Sequence, residues 1–220
     1  MPETTTDPAQ GHRGALFIIA APSGAGKTTL VRALCDRLPN LRVSISCTTR
    51  PQREGEQNGI DYHFIDEATF RDMAARGLFL EYEQVFDHLY GTPRTWVEEQ
   101  MNQGIDVILE IDWQGARNVR AVMPGTVSLF ILPPSYDALE KRLRGRGQDD
   151  ETVIRRRMQD ALGELSHHRE FDYLIINRDL ETALAEMSSI IEAIRENRPL
   201  SWPDRGDFAD ALIAEGEKFQ

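Results

Sequence analysis

The chain has 220 residues, 40% of them hydrophobic and 28% charged, with a formal net charge of −11 and two cysteines. That length and balance suit one globular domain, or one core carrying small insertions, without disulfide or metal staples. The acidic balance opposes nonspecific nucleic-acid binding, no apolar run reaches the ~20 residues of a membrane span, and sparse cysteines point to a reducing, cytoplasmic setting.

Residues 1–13 are polar, lack the apolar stretch of a signal peptide and read as a loose leader. A short apolar run at 16–21 predicts a buried strand, and an amphipathic stretch at 27–38 predicts the helix after it. Between them lies Ala21-Pro22-Ser23-Gly24-Ala25-Gly26-Lys27-Thr28-Thr29. Small residues let backbone N–H groups wrap an anion, and the helix N-terminus turns its dipole to the same charge. This is the P-loop pattern G-x-x-x-x-G-K-[ST], with Ala21 in place of the first glycine. In that pattern Lys27 reaches the β- and γ-phosphates, and the Thr28 hydroxyl holds Mg²⁺. The segment therefore predicts a nucleoside-triphosphate site.

Further core strands are predicted over 42–46, 106–111, 127–132 and 173–176. Helices are predicted over 93–103, 114–122, 136–144, 150–169 and 181–197. Short β-branched runs alternating with amphipathic stretches indicate parallel strands covered by helices. The segment 46–96 has another character, rich in Tyr, Phe, Gly, Arg and Glu, and reads as a small mixed insertion. Residues 139–171 form a second insertion, arginine-rich and helical, and the tail from 199 onward shows only weak helical patterning.

Within the first insertion, Arg50 and Arg53 stand three residues apart and Tyr62 follows a glycine-bearing loop. Forked guanidinium donors and a directed phenol suit a fixed monophosphate better than a diffuse polyanion. Lys141, Arg142, Arg144, Arg146, Arg155, Arg156 and Arg157 then place seven cations in an acidic chain. Gly145 and Gly147 flank Arg146, the pattern of a hinge carrying charge over a phosphate chain.

The run Ser44 to Phe64 resembles the guanylate kinase signature S-x-S-x-T-T-R-x-x-R-x-G-E-x-x-G-x-D-Y-x-F. The resemblance continues through Glu81-Tyr82, Tyr90-Gly91-Thr92 and Ile111-Asp112-Trp113-Gln114-Gly115, and covers about residues 14 to 198. It implies a P-loop three-layer α/β fold with a five-stranded parallel core sheet. That core (14–45, 97–138 and 172–198) would carry a mixed α/β GMP-binding subdomain at 46–96 and a helical lid at 139–171, with a tail at 199–220. It also implies phosphoryl transfer from ATP to GMP with Mg²⁺, and no nucleic-acid or membrane partner. Arg50, Arg53, Tyr62 and Tyr90 would hold the GMP phosphate, while Ser46, Glu81 and Thr92 would read guanine. Asp112 would lie near GMP and reach Mg²⁺ through water.

By the same resemblance Arg142, Arg146 and Arg157 are the lid's phosphate contacts, and Asn177 sits beside adenine. Three residues keep a second reading. Asn177 is equally a helix-entry turn, Thr92 equally a cap for the helix at 93, and Glu110 is either a contact to metal-bound water or a structural hydrogen-bond partner. Arg144, Arg155 and Arg156 read as surface partners of Glu151 or Asp150. The histidines form no metal-ligand set.

Overall fold

The computed structural model describes residues 13–85, 87–145 and 150–218. The leader up to residue 12 and Arg146 lie outside them. By internal contacts the chain divides into two compact units, Met1–Leu16 with Asn40–Val107, and Phe17–Pro39 with Ile108–Gln220.

In chain order the elements are β1 Leu16–Ala20, α1 Lys27–Arg37, β2 Leu41–Val43, β3 Cys47–Thr48, β4 His63–Phe64, α2 Glu67–Ala75, β5 Phe79–Val85, β6 His88–Pro93 and α3 Arg94–Asn102. They continue as β7 Asp106–Leu109, α4 Trp113–Val122, β8 Val127–Leu132, α5 Tyr136–Arg144, α6 Glu151–Leu165, β9 Tyr173–Ile176, α7 Leu180–Arg195 and α8 Gly206–Glu217. Five strands form one all-parallel sheet in the order β2-β7-β1-β8-β9, as the sequence predicts. Strand β1, Leu-Phe-Ile-Ile-Ala, is buried along its whole length. Parallel strands covered on both faces need that unbroken apolar run.

Side-chain caps start four of the helices around the sheet. Asp112 accepts from Gly115 N–H, Ser135 from Ala138, Asp150 from Val153 and Asp179 from Thr182. Each satisfies an orphan donor of a first turn. The helix predicted over 150–169 stops at Leu165. His168 Nδ1 bonds the Leu165 carbonyl at 2.9 Å, and a 3-10 turn spans His168–Glu170 instead.

The smaller unit is built on a four-stranded sheet in the order β4-β3-β6-β5. Phe70 of α2 stacks on Phe79 of β5 with ring centroids 4.5 Å apart, and both bury against Cys47. Burial holds the Cys47 thiol up at about 11, so it stays protonated and apolar. Two helices go beyond the sequence reading. One is α2, capped by Asp66. The other is α8, in the tail, which buries Ala209 and Leu212 in the same core as Leu139, Leu143, Ile154 and Leu162 of α5 and α6.

Candidate active site

The loop after β1 takes its shape from Gly24 and Gly26, with φ of +87° and +98°. Side chains resist that left-handed conformation. A Cβ on Gly26 would also stand 2.5 Å from Asn177 Nδ2. Gly26 ends the loop and opens α1, with Ala25 N–H donating to the Pro22 carbonyl and Leu30 N–H to the Gly26 carbonyl. Lys27 sits in the first helical turn, its Nζ 3.9 Å from Glu110 Oε2, with Thr28 and Thr29 exposed beside it. At that distance the pair leaves the ammonium available to a stronger anion.

Side chains from two helices and the loop after β9 grip the loop from outside. Asn177 Nδ2 donates to the Ala25 carbonyl at 2.7 Å, and Arg142 of α5 donates to the same carbonyl at 3.2 Å and to Asn177 O at 3.1 Å. Helix α6 brings Arg157 to Ser23 Oγ at 2.7 Å and accepts the Ser23 N–H on Glu164 Oε2 at 2.9 Å. Burial pushes the Glu164 carboxyl up to about 7, with Asp112 and Asp160 adding to the rise and the Ser23 N–H and Lys27 opposing it. Arg144 is spent elsewhere, on Glu140 and Glu151. Asp112 follows β7 and caps α4 through Oδ1, while among the described residues its Oδ2 accepts a 3.3 Å bond from Gln114.

In the smaller unit the arginine-tyrosine set is assembled. The Arg50 guanidinium lies 5.4 Å from the Tyr62 ring centroid, and the Tyr62 and Tyr90 rings are 6.0 Å apart. Arg50 is 9% exposed and bonds Pro51 O at 2.8 Å and Glu56 Oε1 at 2.7 Å. Burial works against its charge, but bonds with Glu56 and Tyr90 outweigh that and hold the guanidinium above the ordinary arginine range. Arg53 is exposed, its backbone N–H tied to Glu56 Oε2 at 2.8 Å. Glu56 thus organises both arginines, although sequence reasoning placed no role on it.

Next along the sheet, Glu81 pairs across the β5–β6 ladder with Thr92, whose hydroxyl donates to Glu81 Oε1 at 2.5 Å. Alternation along β6 puts Thr92 on the same face as Tyr90. Thr92 is therefore a partner of Glu81 and not a helix cap, since α3 starts after Pro93 with no side-chain cap. Ser46 is partly buried just before β3, and its carbonyl accepts from His63 N–H.

A left-handed glycine loop between a buried parallel strand and a Lys-Thr helix start defines a P-loop nucleotide-binding protein. The family model described as Guanylate kinase matches residues 13–194. A guanylate kinase of Methylococcus capsulatus is 57% identical over 183 residues, covering 83% of this chain and 90% of its own length. One of Vibrio vulnificus is 49% identical over 205 residues, covering 92% of this chain and 99% of its own. The crystal structure of guanylate kinase from Anaplasma phagocytophilum matches with a TM-score of 0.70 at 33% identity, over 83% of this chain and 87% of that one. The chain belongs to the guanylate kinase family.

Proposed function

We infer that this chain transfers the γ-phosphoryl group of ATP to GMP, giving ADP and GDP, in purine nucleotide metabolism. The observation that carries the reading is the buried Glu81–Thr92 pair on the strand face that also bears Tyr90. Guanine presents two adjacent donors, its N1–H and its exocyclic amine, and an ionised carboxylate accepts both. Adenine presents an acceptor at N1, which would face the buried Glu81 carboxylate with no proton between them, and that mismatch discriminates by up to ~10⁴-fold. Arg50, Arg53, Tyr62 and Tyr90 hold the acceptor's monophosphate, and Ser46 completes the guanine contacts.

Residues 21–29 cradle the donor polyphosphate, with the backbone N–H groups from Gly24 onward as donors, and Lys27 neutralises charge at the transferred phosphoryl. Arg142 and Arg157, already seated on the loop, belong to a lid at 139–171 with Arg146. Asn177 fixes the Ala25 peptide from the adenine side. The donor set suits Mg²⁺: an exposed Thr28 hydroxyl and an Asp112 oxygen only weakly bonded are hard, sparse ligands that leave room for water. When bound, that ion neutralises the developing charge on the phosphates. Among the described residues no helix is long and apolar enough to cross a membrane, and the reading places the enzyme in the cytoplasm.

A phosphopeptide-binding scaffold of the same family is the other reading. An intact Lys27-Thr28 loop opposes it, because a passive binder has no use for a polyphosphate cradle. A coupled assay with ATP over GMP, AMP, UMP and CMP is the test. GMP turnover at least ~10³-fold above AMP is expected. Equal turnover of AMP would overturn the guanine reading, and no turnover of any acceptor would favour the scaffold.

A further inference from the structure

Ser23 is held at two points by one helix face. Its N–H donates to Glu164 Oε2 at 2.9 Å, and its Oγ accepts from Arg157 at 2.7 Å and 3.2 Å. Arg157 and Glu164 are seven positions apart on α6, two turns, so both project from the same side. The Ser23 peptide is therefore committed to the protein rather than left among the donors available to a phosphate.

We propose that Glu164 is a positioning residue for the phosphate loop: its carboxyl oxygen fixes the Ser23 peptide, and with it the path of the backbone into Gly24 and Gly26. A loop of this kind works only if its N–H groups converge before the ligand arrives, because reorganising them on binding would consume the electrostatic gain. Few bonds within the loop hold that shape. Ala25 N–H to Pro22 O closes one turn, while Asn177 and Arg142 anchor the Ala25 carbonyl from the far side. Glu164 supplies the matching anchor before the first left-handed glycine. The acceptor survives a change of ionisation, since a protonated carboxyl still offers a carbonyl oxygen to an N–H. Lys27 of α1 offsets the nearby negative charge, against Asp112 at the head of α4 and Asp160 on α6.

The inference rests on the assignment of this loop to ATP, and the test separates the two. Glu164→Gln keeps an oxygen acceptor, Glu164→Ala removes it, and Glu164→Asp withdraws it by one methylene while keeping the charge. For each variant, KM for ATP, KM for GMP and melting temperature are measured, with the Ser23 amide-proton resonance read in nucleotide-free protein. The expected result is KM for ATP raised ~10-fold in the Ala and Asp variants, the loss of one well-placed bond, with KM for GMP unchanged. The Ser23 amide moves upfield in both, and the Gln variant restores both readouts. Glu164→Asp carries the test should the Ala variant fail to fold. A lowered melting temperature with an unmoved Ser23 amide and unchanged KM for ATP would mean that Glu164 only packs, and would overturn the proposal. Wild-type protein that binds no ATP in calorimetry would overturn it too, and only that outcome would also count against the proposed function.

Discussion

On the proposed reading the two units bind nucleotide in opposite ways. In the larger unit the cradle is backbone: a loop of Ala, Pro, Ser and Gly, shaped by two left-handed glycines and anchored from outside by Asn177, Arg142, Arg157 and Glu164. In the smaller unit the proposed groups are side chains on strands and a loop, Arg50, Tyr62 and Tyr90 for the phosphate and Glu81 for the base, each already engaged with a protein partner. Backbone N–H groups bind any polyphosphate and specify a class of ligand. Side chains on a fixed face distinguish one base from another and specify the acceptor.

The sharpest way to break the comparison is to strike one cradle and read the other. Lys27→Ala should lower kcat by ~10³-fold, the scale of removing one charge-stabilising donor, and leave GMP affinity in calorimetry unchanged. A comparable loss of GMP binding would show that the division of labour is wrong. Glu81→Gln should lower kcat/KM for GMP by ~10²-fold, because one of its two acceptor positions becomes a donor facing guanine's own donors. KM for ATP should hold. Arg50→Lys should raise KM for GMP by roughly thirtyfold, since a point charge replaces a fork already set by Glu56 and Pro51. A kcat effect without a KM effect would place Arg50 on the transferred phosphoryl instead.

The backbone cradle is legible in sequence because its geometry dictates residue types: glycine where φ is positive, then lysine and threonine at the helix start. The outside anchors are not. Glu164 lies 141 positions from Ser23 and reads as an ordinary polar residue of a helix. Thr92 before a predicted helix invites a capping role, but β6 continues through Pro93 and its hydroxyl turns across the ladder to Glu81. Helix α8 shows little signal because glycines stand at its two ends, Gly206 and Gly216. Gly216 is there for packing: a Cβ would meet Leu162 Cδ2 at 2.4 Å and Tyr136 Cε2 at 2.6 Å. Tertiary contact overrides propensity at that position. Leu212→Ala should therefore cost about 3 kcal/mol and lower the melting temperature by roughly 10 °C, with kcat intact. A melting temperature within ~1 °C of wild type would mean that α8 contributes little to the core around it.

The most direct contrast between the units lies in pH, because one glutamate in each responds to it with opposite sign. The Arg50 hydrogen bond holds Glu56 below the ordinary glutamate range, reinforced by the Arg53 N–H and the charge of both arginines against a smaller cost of burial. Its stabilisation is present above the unfolded value of 4.5 and is lost as pH falls through the lower folded value. Glu164 is pushed up to about 7, so the folded state binds the extra proton. Stability is then greatest at acid pH on its account, and declines as pH rises from 4.5 through about 7. The full span of that decline is about 3 kcal/mol. In denaturant unfolding followed from about pH 4 to about pH 8, Glu164→Gln should remove the loss on the neutral side and leave the acid side alone. Glu56→Gln should do the reverse. A Glu164→Gln protein that keeps the wild-type slope on the neutral side would mean that the Glu164 carboxyl is ionised there in folded and unfolded chains alike, and the electrostatic contrast between the two cradles would fail with it.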